Sequence, residues 1–263
     1  MSIFENCLIQ APDGVVLSRC GMKKVEWYVK HGLAEIIETD PVTTIRLKFE
    51  PSGRRGLGDP LLLDGKPNIC VACGTPDDLT KHHIVPYSFI KYMKIEYKVD
   101  IIRDIFPLCQ PCHGDYEKNS QEKRKEMSIS LGVPMYGISQ KETRRVRKAM
   151  GAAAALQKYN GDIPEERKKE ILEVVKDFLG KSEITDADIT LVRNYKITDR
   201  PDYINFSKYV AESVTDYSEF AREWREHFVE KMNPKYMPEA WKVDRKTKDV
   251  WVPQRMLDQG KRD

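Results

Sequence analysis

The chain lacks any apolar run approaching the roughly 18 residues a membrane-spanning helix needs, which excludes a transmembrane protein and leaves no membrane partner. Its first residues, MSIFENCLIQAPDG, have no basic start followed by an apolar stretch, so they do not read as a secretory signal. Net charge is also small: 44 Lys and Arg against 41 Asp and Glu leave +3, which by itself indicates no partner. Walker motifs, dinucleotide fingerprints and internal repeats are absent, which removes the common nucleotide-binding and solenoid architectures. What is present is a chain of 263 residues, 40% hydrophobic and 32% charged, with a mean hydropathy of −0.57. Such a length allows one large domain or two small ones with a real core and no need of disulfides. The expected location is intracellular and reducing: cytoplasm or nucleus, of the host cell if the source is viral.

Cysteine is scarce but patterned. Four of the six fall in two pairs, Cys70-Val-Ala-Cys73 and Cys109-Gln-Pro-Cys112. Each C-x-x-C turn sets two thiolates on one side of a tight loop, and two such turns complete the tetrahedral sulfur shell that structural zinc (Zn2+) prefers. A redox C-x-x-C occurs once and opens a helix, so two copies favour metal. Cys7 and Cys20 flank the turn Ala11-Pro-Asp-Gly14 and are expected to face one another across a hairpin as buried thiols, with a disulfide as the lesser reading.

Three of the five histidines lie in the segment these pairs brace. Between the pairs runs Leu79-Thr-Lys-His82-His83-Ile84-Val85-Pro86, and His113 directly follows Cys112. On a strand over 79–85, His82 and His83 point to opposite faces, so one can bind metal while the other faces a water. His113, starting a helix at Gly114, can meet His82 across the motif. The alternative is that all three pack or cap locally within a zinc-stabilised binding module. His31, at the end of a helix over 23–30, and His227, on the Phe220, Trp224, Phe228 stripe, are read as a helix cap and a core residue.

The order CVAC, HHIVP, DIF, PLCQPCH resembles the zinc-containing HNH endonucleases, which read CxxC, then HH or DH, then an Asn, then LCxxCH. The resemblance implies a ββα-metal core braced by a four-cysteine zinc site. It makes His82 and His113 ligands of a catalytic divalent metal and His83 the general base that takes a proton from water, for which a neutral imidazole is suited. Two imidazole ligands suit Mn2+ or another transition metal as well as Mg2+. Phosphodiester cleavage would then leave a 5′-phosphate and a 3′-hydroxyl. Asp104 stands where the family has Asn, and an ionised Asp accepts hydrogen bonds but cannot donate them. Three roles stay open for it: metal ligand, brace of the loop, or mark of a site that no longer cleaves.

Charge is unevenly spread. Residues 118–148 carry nine Lys and Arg against three Glu, a net of +6, leaving −3 for the remainder. A solvated helix face would look the same. Beside a phosphodiesterase motif, Lys123, Arg124, Lys125, Lys141, Arg144, Arg145, Arg147 and Lys148 become candidate phosphate contacts, on DNA ahead of RNA. Pro51 to Pro60 is rich in Gly and Pro and reads as a loop or linker bearing Arg54 and Arg55.

The expected fold class is α+β: a small hairpin-helix-strand unit and linker over 1–60, the HNH module over 61–125, and a basic, mainly helical region over 126–263. In that last region, Asp162-Ile-Pro-Glu165 reads as a helix start, Gly180 as its end, Asp216 to Met232 as a further helix, and Trp241 as an anchor folding back. The stretches APDG, KKVEWYVKHGL, KFEPSGR and EFAREWREHFVEKMNPKYMPEAWKV are similar to animal 3′-5′ exonuclease-domain-containing proteins. The carboxylate-based exonuclease domain of such relatives is absent from these 263 residues, so exonuclease activity is not expected. The leading function is a metal-dependent endonuclease or nickase. The rival is a degenerate HNH module that binds nucleic acid or a protein without cleaving; protein partners are otherwise unknown.

Overall fold

The computed structural model describes residues 3–51, 54, 59–159 and 161–246, the side chains of residues 96 and 99 excepted. Arg55 and most of the expected 51–60 loop therefore lie outside the described residues. Arg54 is described and pairs with Asp13 and Glu50 at 2.6 and 3.0 Å.

Elements run in the order β1 (Cys7–Gln10), β2 (Val16–Cys20), α1 (Met22–Lys30), β3 (Ala34–Glu38), β4 (Thr44–Leu47), α2 (Pro60–Leu63), β5 (Leu79–His83), α3 (Tyr87–Ile90), α4 (Ile95–Asp100), β6 (Ile105–Cys109) and α5 (Gln110–Leu131). There follow α6 (Gln140–Tyr159), α7 (Glu165–Leu179), α8 (Asp186–Arg193), α9 (Phe206–Ser213) and α10 (Tyr217–Met232). The architecture is mixed α+β with small sheets. Two compact units result: Met1–Gln121 with Ala211–Asp263, and Glu122–Val210. The expected 126–263 region is thus divided between them. No described helix is long and apolar enough to cross a membrane.

In the first unit, β2-β1-β4-β3 form one sheet, in which β1 and β2 are the antiparallel hairpin and β1 pairs β4 in parallel. Cys7 and Cys20 are direct cross-strand partners and both are free thiols. Ile9, Leu17, Val25, Ala34, Ile45 and Leu47 close a core over this sheet. Two large apolar side chains of this unit stay at the surface. Trp27 is half exposed because α1 turns Val25 inward and leaves Trp27 against Tyr28 and His31. Phe49 is exposed because β4 ends at Leu47.

The second sheet is the antiparallel ribbon β5–β6, which pairs Leu79 with Cys109 and His83 with Ile105. Ribbon and α5 follow one another as β, β, α. From the far end of the chain, α10 supplies Trp224, Arg225 and Phe228, all fully buried. Asp216 caps its first turn, accepting from the Glu219 N–H at 3.0 Å, and Asn233 ends it at a φ of +41°, in the left-handed region. The second unit has its own core, in which Ala149, Ala153 and Leu156 of α6 pack with Val175 of α7 and Val192 of α8. α7 starts later than the Asp162 cap predicts: Pro164 holds the cap position with no side-chain bond, and Gly180 ends the helix at a φ of +67°.

Candidate functional site

The first cluster is built from the two C-x-x-C turns. Cys70 and Cys73 occupy the turn ahead of β5, where the Gly74 N–H donates to the Cys70 carbonyl at 2.8 Å. Gly74 adopts a φ of +84°, and a Cβ there would meet the Tyr236 ring at 2.7 Å, so only glycine closes this knuckle. Cys109 ends β6 and Cys112 lies in the first turn of α5. The four sulfurs lie within 4.8 Å of one another, and those of Cys73 and Cys109 are 3.7 Å apart. Zinc held by four thiolates at about 2.3 Å sets its sulfurs about 3.8 Å apart, so this donor set fits it. Burial pushes the Cys70 thiol up, but the N–H groups of Cys109, Cys73 and Ala72 outweigh it and bring it down to about 7. Burial pushes Cys109 and Cys112 up, so these sulfurs need a cation's field to ionise with it.

The second cluster grows from strand parity. His82 is buried, 3% exposed, while His83 on the opposite face of β5 is half-buried. The His82 ring stacks on Phe228 at 5.8 Å and meets Tyr116 and His113 edge-on at 4.9 Å. Burial pushes its pKa down to about 3, with His113 and His83 adding to the effect. The ring is therefore neutral, the form a metal requires. Its Nε2 is buried with no hydrogen-bond partner among the described residues. An orphaned polar atom of this kind costs about 1–3 kcal/mol, which coordination would offset.

His113, on the turn of α5 that follows Cys112, meets the Thr80 hydroxyl through Nδ1 at 2.8 Å. One helical turn on, Glu117 Oε1 lies 3.8 Å from His113 Nε2. Donor atoms of His82, His113 and Glu117 lie within 4.8 Å of one another. Two imidazoles and a carboxylate suit a divalent transition ion and tolerate magnesium.

His83 and Asp104 are not members of that group. The His83 ring faces exposed Tyr87 at 5.5 Å, and burial holds its pKa below the ordinary 6.5. Asp104 is buried and accepts from Arg225 Nη2 at 2.8 Å, Trp241 Nε1 at 2.9 Å and Arg245 Nη2 at 3.1 Å. Its backbone carbonyl accepts from the Ile84 N–H at 3.0 Å, tying the end of β5 to the start of β6. His31 caps α1, its Nδ1 2.7 Å from the Trp27 carbonyl. His227 is half-buried, not core, because its Nδ1 meets the Tyr116 hydroxyl at 3.1 Å.

The basic candidates fall on two helices. Lys123, Arg124 and Lys125 are on α5; Lys141, Arg144, Arg145, Arg147 and Lys148 are on α6. Arg145 donates to the Asp177 carbonyl at 3.0 Å and lies over Phe178, and Arg147 lies over Tyr136. Lys141, Arg144 and Lys148 are exposed at helical spacing on one face.

Sequence reasoning missed Glu117, Thr80 and the α10 residues. The spacing C-H-x-x-x-E on a helix would have marked Glu117, and parity with His82 would have marked Thr80. No local signal marks Phe228 or Arg225, which reach the site only through tertiary packing.

A mixed α+β fold with a four-cysteine cluster and a His-His-Glu cluster defines a protein with two candidate metal centres. Its relatives name a narrower class. The mouse and human proteins called "Exonuclease 3'-5' domain-containing protein 2" are 31% and 28% identical to it over 92% of this chain. The Arabidopsis thaliana protein called "Protein RRP6-like 3" is 28% identical over 71% of the chain. The chain spans 38% and 40% of the mouse and human relatives and 23% of the plant one. These relatives agree with the resemblance of the flanks to animal 3′-5′ exonuclease-domain-containing proteins. No family model matches the chain, and no solved structure matches it.

Proposed function

We propose that the chain is a metal-dependent nuclease of HNH type, cleaving phosphodiester bonds internally with His83 as general base. The observation that carries this reading is the juxtaposition of His82, His113 and Glu117, with the Nε2 of His82 buried and unsatisfied. A divalent ion held there would supply Lewis-acid polarisation of a phosphate and charge stabilisation at the departing oxygen. The β, β, α order, the cysteine knuckles and the exonuclease-domain name of the mouse and human relatives support a nuclease. That name concerns an exonuclease domain, and this chain's site residues are not carboxylates of that kind; an internal cut is the reading its own histidines support.

Each residue has a task in this scheme. His83, depressed by burial and kept off the metal by strand parity, is neutral near pH 7 and accepts the proton of an attacking water. His82 and His113 with Glu117 would hold the ion, and zinc on the four cysteines would fix the turn from which His113 projects. Asp104 acts at one remove, bracing the ribbon against α10. The bases of α5 and α6 neutralise the backbone of the nucleic acid, with DNA ahead of RNA.

A second reading, a module that binds without cleaving, is favoured by one observation: both Asp104 oxygens are engaged by Arg225, Arg245 and Trp241. Cleavage of circular double-stranded DNA, single-stranded DNA and structured RNA with manganese or magnesium separates the two. Wild type is expected to cut and zinc-loaded His83→Ala to lose about 10²- to 10⁴-fold. A wild type inactive on every substrate that still binds nucleic acid would establish the second reading.

A further inference from the structure

We infer that Thr80 is a positioning residue that fixes which ring nitrogen of His113 carries the proton, and so presents Nε2 to a metal. The inference rests on the reading of His113 as a ligand, but its first test does not. Thr80 stands opposite Leu108 in the β5–β6 ribbon, on the same face of β5 as His82. Its Oγ1 donates to the Leu108 carbonyl at 2.9 Å and lies 2.8 Å from His113 Nδ1.

A hydroxyl has a single proton. Once that proton is given to Leu108, the oxygen can meet His113 only as an acceptor, so Nδ1 must carry the hydrogen. The lone pair of a neutral imidazole is then on Nε2, the nitrogen 3.8 Å from Oε1 of Glu117, a member of the same donor group. Ligand histidines commonly donate their second N–H to a carboxylate, a carbonyl or water. Here a threonine hydroxyl stands in, relaying the interaction to a backbone carbonyl. Leu108 directly precedes Cys109, so the relay also couples the cysteine knuckle to the ring of His113.

A threonine that merely satisfies the ribbon would leave the His113 tautomer untouched. Long-range proton–nitrogen NMR of the histidine side chains, on full-length protein holding one equivalent of zinc at pH 8, distinguishes the two. Wild type is expected to show the Nδ1–H tautomer at His113. Thr80→Val, which keeps shape and removes the acceptor, should give a mixture and weaken manganese binding by about 10- to 100-fold. Thr80→Ser should restore both. A wild-type Nε2–H tautomer, or a Thr80→Val protein with unchanged tautomer and affinity, would overturn the proposal, and the wild-type spectrum decides even if Thr80→Val fails to fold. A wild type with the expected tautomer, lost in Thr80→Val, but with no affinity for manganese, supports the role of Thr80 and sinks the metal-centre reading alone.

Discussion

Asp104 shows how side-chain chemistry decides a residue's partners. An Asn at this place could donate and accept within its loop; the carboxylate only accepts, and it is met by donors from three residues far along the chain. Arg225 and Asp104 are 0% and 1% exposed in their side chains. Removing the charge of one partner from such a pair strands the other, at about 3–5 kcal/mol. Asp104→Asn is therefore expected to lower urea stability by that order while leaving manganese affinity of the folded fraction unchanged. A loss of affinity without a loss of stability would return Asp104 to the ligand role. Sequence placed His82 and His83 on opposite faces of a strand and His113 beside the cysteine turn because spacing and strand parity are local. It left the role of Asp104 open because its partners are more than 100 residues away.

Helix ends and turns were the most readable elements. The hairpin at Ala11–Gly14, the Gly180 stop, and the Asp216 and Asn233 limits of α10 each follow from a single residue's backbone preference. α8 adds a device not foreseen: Thr185 and Asp188 cap its first turn reciprocally, and Lys181 pairs with Asp188 at 2.5 Å. The Lys181 bond, then the backbone and hydroxyl of Thr185, bring Asp188 from an ordinary 3.8 down to about 2. A depressed folded-state pKa means the contribution is fully present above about pH 4 and is lost as pH falls toward 2. Thermal stability of the second unit should fall across that window, and Asp188→Asn should remove that part of the slope while lowering stability at pH 7. An unchanged slope in the variant would place the titration elsewhere. The parallel pairing of β1 with β4 was not legible, because it joins strands separated along the chain by two other strands and a helix.

At the scale of the molecule, two units with separate cores make different demands. The ribbon β5–β6 has only two strands, too few for independent stability without α10 and a metal on the four cysteines, which zinc would supply. Chelation of zinc, or Cys112→Ser, is expected to abolish hydrogen-exchange protection in β5 and β6 while α6, α7 and α8 keep theirs. Uniform loss across the chain would show that the second core depends on the first. Nucleic-acid binding, measured in EDTA-free buffer without manganese or magnesium, should weaken with salt. Replacing Lys141, Arg144 and Lys148 by Gln should lower the slope of log affinity against log salt by about 0.9 for each lost double-stranded contact. An unchanged slope would mark this face as merely solvated.

The sequence by itself determined the chemistry on offer: two cysteine pairs, adjacent histidines on a strand, a third beside a cysteine, and an excess of bases over 118–148. These follow from side-chain types and short spacings, which the backbone periods of strand and turn translate directly into shared or opposite faces. Only the tertiary structure decided which atoms meet. It buried His82 beneath Phe228, brought Glu117 to the two imidazoles, gave Asp104 to Arg225 and Arg245, and divided the C-terminal helices between two cores. Burial and long-range pairing are set by the sum of many weak apolar contacts across the whole chain, and no local window contains that sum.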